Sequence, residues 1–279
     1  MSGFELQRLG VLMEPELGNP QEAEGVLNPA AARGPDGELY IFPRLVARGN
    51  YSRIGIARVR FNGAGDPEGV ERLGIALEPE TDYECGIDGR GGCEDPRVTF
   101  VEPLQRYLMT YTARTPRGPR IAAACSTDLF HWERLGLIPF APFEGLDLST
   151  VDDKDACPFP AAIPNPSGQP ELAMLHRPLF PGTAPEEKAR HAASHEVDLD
   201  RESIWISYRP ISWKLSNRVS PTSFLIIGWR LRYLPGNASK SVAALHRSSP
   251  GTAGWSFTTA LAKLGSPAMA CIVCVTRRE

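Results

Sequence analysis

The sequence predicts an all-β chain of the β-propeller type. Runs of alternating or continuous apolar residues, each of strand length, recur between turn residues along most of its 279 residues. The chain also carries 26 glycines and 26 prolines, which favour tight turns and disfavour long helices. Groups of such runs return at intervals of roughly 60 to 80 residues, as expected when successive sheets pack around a shared axis. A β-sandwich is the alternative that the same pattern allows.

Seven runs have the length and apolar pattern of β-strands. They cover residues 38–46, 51–61, 98–102, 106–113, 119–126, 171–178 and 203–210. Two of them continue into STDLFHW (126–132) and SYRPISW (207–213), which share a Ser and a Trp at the same spacing. This shared spacing predicts a repeated hairpin, as in the blades of a propeller.

Composition and charge exclude several classes of protein. The formal net charge of −3 disfavours nucleic acid and anionic membrane as partners. No apolar run is long enough to span a bilayer, and the N-terminal residues lack the pattern of a secretion signal, so we expect a cytoplasmic chain. Of six cysteines, Cys271 and Cys274 form a lone CxxC motif without a second pair, so we predict free thiols and no metal site.

The stretch GRGGCEDPRVTF (89–100) is the first candidate for chemistry, because it places Glu94 and Asp95 side by side in a glycine-lined approach. Neighbouring side chains of an extended strand point to opposite faces, so one carboxylate can face a pocket while the other is held in the scaffold. Pro96 disfavours helix at Asp95 and marks the entry to a strand. A strand-start turn with a surface ion pair is the alternative.

Three further clusters place cations at strand ends. FPRLVARGNYSRIG contains Arg44 and Arg53, VDDKDACPFP contains Lys154 and Asp155, and LHRP contains His176. Arg, Lys and His are the side chains that bind phosphate, and strand ends are where a propeller forms its pocket. Each cation taken alone is equally compatible with a solvated surface position.

Taken in order, these motifs resemble glycoside hydrolase family 130, the β-mannoside phosphorylases. EDPR with VTF and YTA is followed by the KDA segment with FP, by LHRP and by IWISY, over about residues 26–208. The resemblance implies a five-bladed β-propeller that cleaves β-linked mannosides with inorganic phosphate or, in some branches, with water. It implies no organic cofactor, with phosphate as co-substrate.

The resemblance also implies roles for individual residues. Asp95 matches the general acid, and Asn28, Arg44 and Asp155 match substrate-binding positions. The matches to the phosphate-binding set are Arg53, Arg114, Lys154 and His176. The family usually has Asn where this chain has Asp153, and the added negative charge beside Lys154 would weaken phosphate binding.

One acid with several cations favours phosphorolysis over hydrolysis. An inverting hydrolase needs a second carboxylate to activate water, whereas phosphate is already an anionic nucleophile and needs only positioning. Inverting phosphorolysis of a β-mannoside oligosaccharide to mannose 1-phosphate is therefore the leading prediction. A β-mannosidase that uses water and a non-catalytic sugar-binding propeller are the alternatives, and a homo-oligomer is left open.

The sequence beyond about residue 210 has no clear strand-and-turn rhythm and does not resemble the later blades of the family. Translated one frame away, permitted codons for YLPGNASKSVAALHRS (233–248) give SPWERLKIGGGTPPI, which does resemble the family. We therefore predict a catalytic propeller domain over residues 1–209 with about three recognisable blades, and a frameshifted tail over 210–279. Such a propeller would be incomplete, with open sheet edges.

Overall fold

The computed structural model describes residues 10–86, 91–142, 147–179 and 204–211 in full, and four further strands by their backbone. The described residues form β-strands joined by turns and two short 3-10 helices, Pro20–Glu22 and Glu102–Leu104. The prediction of an all-β chain is confirmed. No described helix is long and apolar enough to cross a membrane.

The first sheet is built on four consecutive antiparallel strands. These are β3 (Gly25–Arg33), β4 (Leu39–Ala47), β5 (Tyr51–Phe61) and β6 (Pro67–Leu77). Four more strands extend it beyond β3: β1 (Leu6–Gln7), β2 (Val11–Met13), β16 (Trp255–Lys263) and β17 (Met269–Arg277). β17 pairs with β1, β2 and β16 in antiparallel fashion and with β3 in parallel fashion.

The second and third sheets follow in chain order. The second consists of β7 (Cys93–Val101), β8 (Arg106–Thr115), β9 (Gly118–Ser126) and β10 (Glu133–Leu137). The third consists of β11 (Asp152–Pro158), β12 (Ile163–Pro164), β13 (Pro170–Leu179), β14 (Trp205–Arg209) and β15 (Leu225–Ile226). The first strands of the three sheets adjoin, since β3 packs beside β7 and β7 beside β11. Three sheets in this arrangement do not match a two-layer sandwich.

Two apolar clusters lie between successive sheets, and a third is formed by strands of the first sheet alone. The largest cluster joins the first sheet to the second through fully buried side chains such as Phe42, Ile54 and Met109. A smaller cluster joins the second sheet to the third around Ile121 and Trp205. Because apolar side chains are removed from water at each junction, the packing between neighbouring sheets stabilises their arrangement.

Six of the seven predicted strand runs lie on or within one residue of strands β4, β5, β7, β8, β9 and β13, and the seventh, 203–210, contains β14. The proposed division at residue 209 stays a prediction. Most of residues 210–279 lies outside the described part of the chain, where only the backbones of β15, β16 and β17 are placed.

Candidate active site

The first strand of each sheet carries the same backbone irregularity. Asn28 on β3, Asp95 on β7 and Asp155 on β11 have positive φ angles of 44°, 49° and 59°. Each lies where the pairing register shifts against the next strand, which is the mark of a β-bulge. Asn and Asp are the non-glycine residues that best tolerate this left-handed conformation. Three predicted site residues therefore occupy equivalent positions on adjoining strands.

The bulge on β7 brings Asp95 against two predicted neighbours from the first sheet. The amide Nδ2 of Asn28 donates to Oδ1 of Asp95 at 2.7 Å, and Nη1 of Arg44 donates to the same oxygen at 3.1 Å. The side chain of Asp95 is 15% exposed. Its carboxyl group is thus fixed on one oxygen and partly open to solvent.

Arg44 is the centre of this constellation. Its Nε donates to Ser52 Oγ at 2.8 Å, and Nη2 donates to Asn50 Oδ1 at 2.8 Å. The same Nη2 lies 3.0 Å from Oε1 of Glu94, and Nη1 reaches Asp95. Since all three guanidinium nitrogens are engaged, the orientation of the group is well defined.

The two adjacent acids face the same guanidinium, which alternation along a regular strand does not predict. The bulge at Asp95 interrupts that alternation, so Glu94 and Asp95 both contact Arg44. An isolated strand sequence shows where alternation holds, but an extra residue in the strand becomes visible only with its pairing partner.

Glu94 is a member of the site that the sequence did not assign. It is 7% exposed, and burial raises the pKa of its carboxyl group. Arg44 opposes this shift, the charge of Asp95 adds to it, and Arg114 and Lys154 oppose it. Its adjacency to Asp95 in the sequence was the only available signal.

A close approach of backbones fixes the start of β7. The amide of Ser52 donates to the carbonyl of Gly91 at 3.0 Å, and Ser52 forms a bridge with Gly92. Gly92 has a φ of 132°, and a Cβ atom there would lie 2.0 Å from the Ser52 carbonyl oxygen. Only glycine fits between the two sheets at this point.

The predicted residues on β11 lie beside this constellation in the third sheet. Asp155 accepts a hydrogen bond from Nε of Arg177 at 2.7 Å. Lys154 is half-buried, and its charge acts on Glu94 across the junction of β7 and β11. The charge of Lys154 thus acts on one of the two acids of β7, Glu94.

His176 lies in a buried hydrogen-bonded chain. Its Nδ1 is 2.6 Å from Asp153 Oδ2, its Nε2 is 2.8 Å from Ser207 Oγ, and its ring stacks on Phe140 with centroids 4.6 Å apart. His176 and Ser207 are 0% exposed. These hydrogen bonds connect β11, β13 and β14. Asp153, where the sequence comparison expects Asn, is the partner of His176 Nδ1.

Arg53 and Arg114 have different surroundings. Arg53 makes a bidentate ion pair with Glu78, at 2.7 Å from Nη2, and its guanidinium lies 4.9 Å from the centroid of the Tyr51 ring. It follows Ser52 on β5 and so faces away from Arg44. Arg114 on β8 is exposed. The structure therefore joins Asn28, Arg44 and Asp95 by hydrogen bonds and brings the charges of Arg114 and Lys154 within range of Glu94. It engages Arg53 and His176 elsewhere.

The part of the chain that the structure describes contains no cluster of three or more His, Cys, Asp or Glu side chains with the geometry of a metal site. No disulfide joins the cysteines at positions 85, 93, 125 and 157 within it. The chemistry available to the site is that of carboxyl groups, amides and fixed cations.

Comparison with protein-family models identifies the family of the chain. The model of the family described as beta-1,4-mannooligosaccharide phosphorylase matches residues 6–194, more than half of the chain. The chain belongs to glycoside hydrolase family 130. This family contains glycoside phosphorylases and hydrolases that act on mannosides. No curated protein matches the chain closely enough to count as a relative.

Solved structures agree with the family at the level of the fold. The β-1,2-mannobiose phosphorylase of Listeria innocua, in complex with β-1,2-mannobiose, has a TM-score of 0.58 at 16% identity, over 92% of this chain and 75% of that one. A family 130 protein described with hydrolases that target β-1,2-mannosidic linkages in Candida mannan has a TM-score of 0.51 at 19% identity, over 75% of this chain and 56% of that one. A glycosyl hydrolase from Bacteroides ovatus has a TM-score of 0.51 at 18% identity, over 81% and 58%. The chain thus spans little more than half the length of the last two.

Proposed function

We propose that this family 130 chain cleaves β-mannosides by inverting phosphorolysis, with Asp95 as the general acid. The observation that supports this most directly is the setting of the Asp95 carboxyl group. One of its oxygens is held by Asn28 and Arg44, and the group lies next to a cluster that includes two further cations, Arg114 and Lys154. An acid fixed beside an anion site is what phosphorolysis requires.

In the proposed reaction the bond between C1 of the mannosyl unit and the glycosidic oxygen breaks, and a bond forms between C1 and an oxygen of hydrogen phosphate. Asp95 supplies the proton to the departing oxygen through a sugar hydroxyl, as the family resemblance implies. The phosphate proton then returns to the Asp95 carboxylate. The products are α-mannose 1-phosphate and the shortened sugar, so the anomeric configuration is inverted.

Within this proposal the residues divide by their surroundings. Asn28, Arg44 and Asp155 bind the mannosyl unit, and Lys154 and Arg114 hold the phosphate, because their charges lie at the site. Arg53 and His176 support the phosphate site indirectly, since Glu78 engages Arg53 and the Asp153–Ser207 pair engages His176. The complete enzyme would be a five-bladed propeller of which the three sheets are the first blades.

Hydrolysis is the second candidate, and the position of Asp155 favours it. Asp155 stands on the β11 bulge, equivalent to Asp95 on β7, and its side chain is 16% exposed. A second carboxylate on a neighbouring strand could activate water in place of phosphate. Phosphate dependence separates the two reactions.

The test incubates the full chain with β-1,2- and β-1,4-mannobiose, with and without phosphate. Phosphorolysis yields mannose 1-phosphate only when phosphate is present. Mannose alone, at a rate independent of phosphate, would indicate hydrolysis. Binding of mannobiose without any product would support a sugar-binding protein and contradict both enzymatic proposals.

Lys154→Ala tests the proposed phosphate site. We expect the KM for phosphate to rise about tenfold or more, because a charge-assisted contact contributes about 1.5–3 kcal/mol. The affinity for mannobiose should change little. Arg60→Ala, which removes an exposed cation from β5, is the matched control and should leave both values unchanged. An unaltered phosphate KM in Lys154→Ala would remove this residue from the phosphate site.

A further inference from the structure

Glu94 is a buried carboxyl group among the cations that the proposed function assigns to sugar and phosphate. The charged groups of the described residues that act on it most strongly come from four strands: Arg44 on β4, Asp95 on β7, Arg114 on β8 and Lys154 on β11. The following inference rests on the proposed function, because it concerns the anion that these cations bind.

The pairing of β7 with β8 places Glu94 and Arg114 on one face. Glu94 lies directly opposite Thr112, and Arg114 is two residues further along β8, so it is the diagonal neighbour of Glu94. β11, which carries Lys154, packs against both β7 and β8. Glu94 is therefore within electrostatic range of both cations that would hold phosphate.

The carboxyl group of Glu94 is incompletely satisfied. Its Oε1 is buried and lies 3.0 Å from Nη2 of Arg44, but the geometry of this contact is that of an ion pair without an aligned hydrogen bond. Among the described residues Oε1 has no hydrogen-bond partner. A buried, ionised carboxylate with an unsatisfied oxygen is costly, and protonation removes the part of that cost that comes from burying the charge.

A bound phosphate or sulfate would bring a second anion to the same cations. Two anions close together in a poorly solvated site repel each other, so one charge must be reduced. We propose that anion binding at this site is coupled to the uptake of one proton by Glu94, which makes Glu94 a determinant of phosphate use. An ionised Glu94 excludes the anion, and a protonated Glu94 admits it.

The electrostatics of Glu94 agree with this coupling. Burial raises the pKa of Glu94, and the charge of Asp95 raises it further, whereas Arg44, Arg114 and Lys154 lower it. An anion that neutralises these cations removes the influences that keep the carboxyl ionised. Bound anion and bound proton therefore favour each other, and this linkage is reciprocal.

Calorimetric titration of the full chain with sulfate tests the proposal. Sulfate is a dianion that does not exchange a proton near neutral pH. Any proton taken up on binding is therefore bound by the protein. Titrations between pH 5 and 8 in two buffers of different ionisation enthalpy count the protons taken up. We expect uptake that approaches one proton per sulfate, and an affinity that falls up to tenfold per pH unit once Glu94 is ionised in the free protein.

Glu94→Gln should bind sulfate without that proton uptake and with an affinity that varies little with pH. Glu133→Gln, which neutralises an exposed carboxylate on β10, is the matched control and should behave like the wild type. Sulfate binding by the wild type without proton uptake overturns the coupling and leaves the proposed function intact. This measurement needs no variant, so a misfolded Glu94→Gln cannot obscure it.

Two other results are informative. Proton uptake that persists in a folded Glu94→Gln assigns the proton to another group and overturns the proposal. Failure of the wild type to bind either sulfate or phosphate overturns both the coupling and the phosphorolytic function. Hydrolysis of mannobiose without phosphate would then identify the remaining activity.

Discussion

Asp95 has a backbone conformation and a set of contacts that Asn could reproduce. Its φ of 49° is one that Asn adopts as readily as Asp, and both of its hydrogen bonds, from Asn28 and Arg44, reach the same oxygen, Oδ1. Neither of these two hydrogen bonds reaches the second oxygen, Oδ2, which is the proton-carrying oxygen in the proposed reaction. A substitution of Asp95 by Asn can therefore test the proposed chemical role of the carboxyl group while the structural contacts are kept.

Asp95→Asn should abolish mannoside cleavage while the chain stays folded. The amide oxygen can accept both existing hydrogen bonds, so we expect the free energy of unfolding to change by less than about 1 kcal/mol. The loss of the acid should lower kcat by a factor of about 10²–10⁴. Product formation and thermal unfolding measure the two effects, and Asp82→Asn at an exposed turn is the control. Undiminished turnover would show that another group donates the proton.

The sequence predicted individual residues of the site better than their mutual geometry. The motif order led to Asn28, Arg44 and Asp95, whose side chains the structure joins by hydrogen bonds, while their roles stay predictions. It did not show that Glu94 faces the same guanidinium, because that depends on a bulge. The partners of Arg53 and His176, namely Glu78 and the Asp153–Ser207 pair, also become visible only when distant strands are paired.

At the scale of the element, the repeated β-bulge is the feature that orients the candidate site residues. A regular strand would alternate its side chains, whereas a bulge with a left-handed residue redirects one of them. Asn28, Asp95 and Asp155 are redirected in this way on β3, β7 and β11. Keeping a non-glycine residue in this conformation costs free energy, which supports a functional reason for each side chain.

Two substitutions at Asn28 separate its backbone role from its side-chain role. Asn28→Gly keeps the φ of 44° without strain, whereas Asn28→Ala must adopt it at a cost of about 1 kcal/mol or more. Both variants lose the hydrogen bond to Asp95. We expect urea denaturation to show the Ala variant as less stable than the Gly variant, and kcat/KM to fall equally in both. Equal stability would argue against strain at this bulge.

Most strands with one or both faces buried were predictable, but the largely buried inner strand β3 was not among the predicted runs. Runs such as those of β4 and β5 have the apolar pattern of a core strand, and they were found at nearly the right bounds. The outer strands β6 and β10 were missed, since PEGVERLGIAL and ERLGL are largely polar or exposed. Hydrogen bonding to a neighbour, rather than hydrophobic periodicity, places such edge strands.

At the scale of the whole molecule, Glu84 links the first sheet to the second. This fully buried carboxylate accepts hydrogen bonds from Tyr111 Oη at 2.6 Å and Arg134 Nε at 2.9 Å, and from the backbone amides of Glu80 and Thr81. Burial alone would raise the pKa of Glu84, but the hydrogen bonds, led by that of Arg134, hold it below its usual value.

Because the pKa of Glu84 is lowered by folding, its contribution to stability is present above the unfolded pKa and is lost as the pH falls through the folded one. Glu84→Gln should therefore lower the free energy of unfolding by about 2–3 kcal/mol at pH 7, and by less at pH 3.5. Urea denaturation at both pH values measures the difference. A difference of the same size at pH 3.5 would contradict the assignment of an ionised Glu84. Glu102→Gln at an exposed position is the control.

The predicted frameshift near residue 210 can be tested on the coding DNA. The family model ends at residue 194, and the predicted frameshifted tail begins at about residue 210. Sequencing the gene across this region tests the prediction, and an intact reading frame would refute it. The sequence predicts this frameshift because residues 233–248, translated one frame away with permitted codons, resemble the family. A fold alone contains no information about the reading frame.

The close fit of Gly92 against Ser52 has a consequence for the order in which the protein is made. Asn28, Arg44 and Asp95, together with the glycine that seats them, all emerge from the ribosome before the third sheet has been synthesised. A nascent chain that contains only strands β3 to β10 could therefore already hold the acid in its final orientation, while Lys154 arrives later. Proton donor and anion holder would then be assembled at different moments of translation.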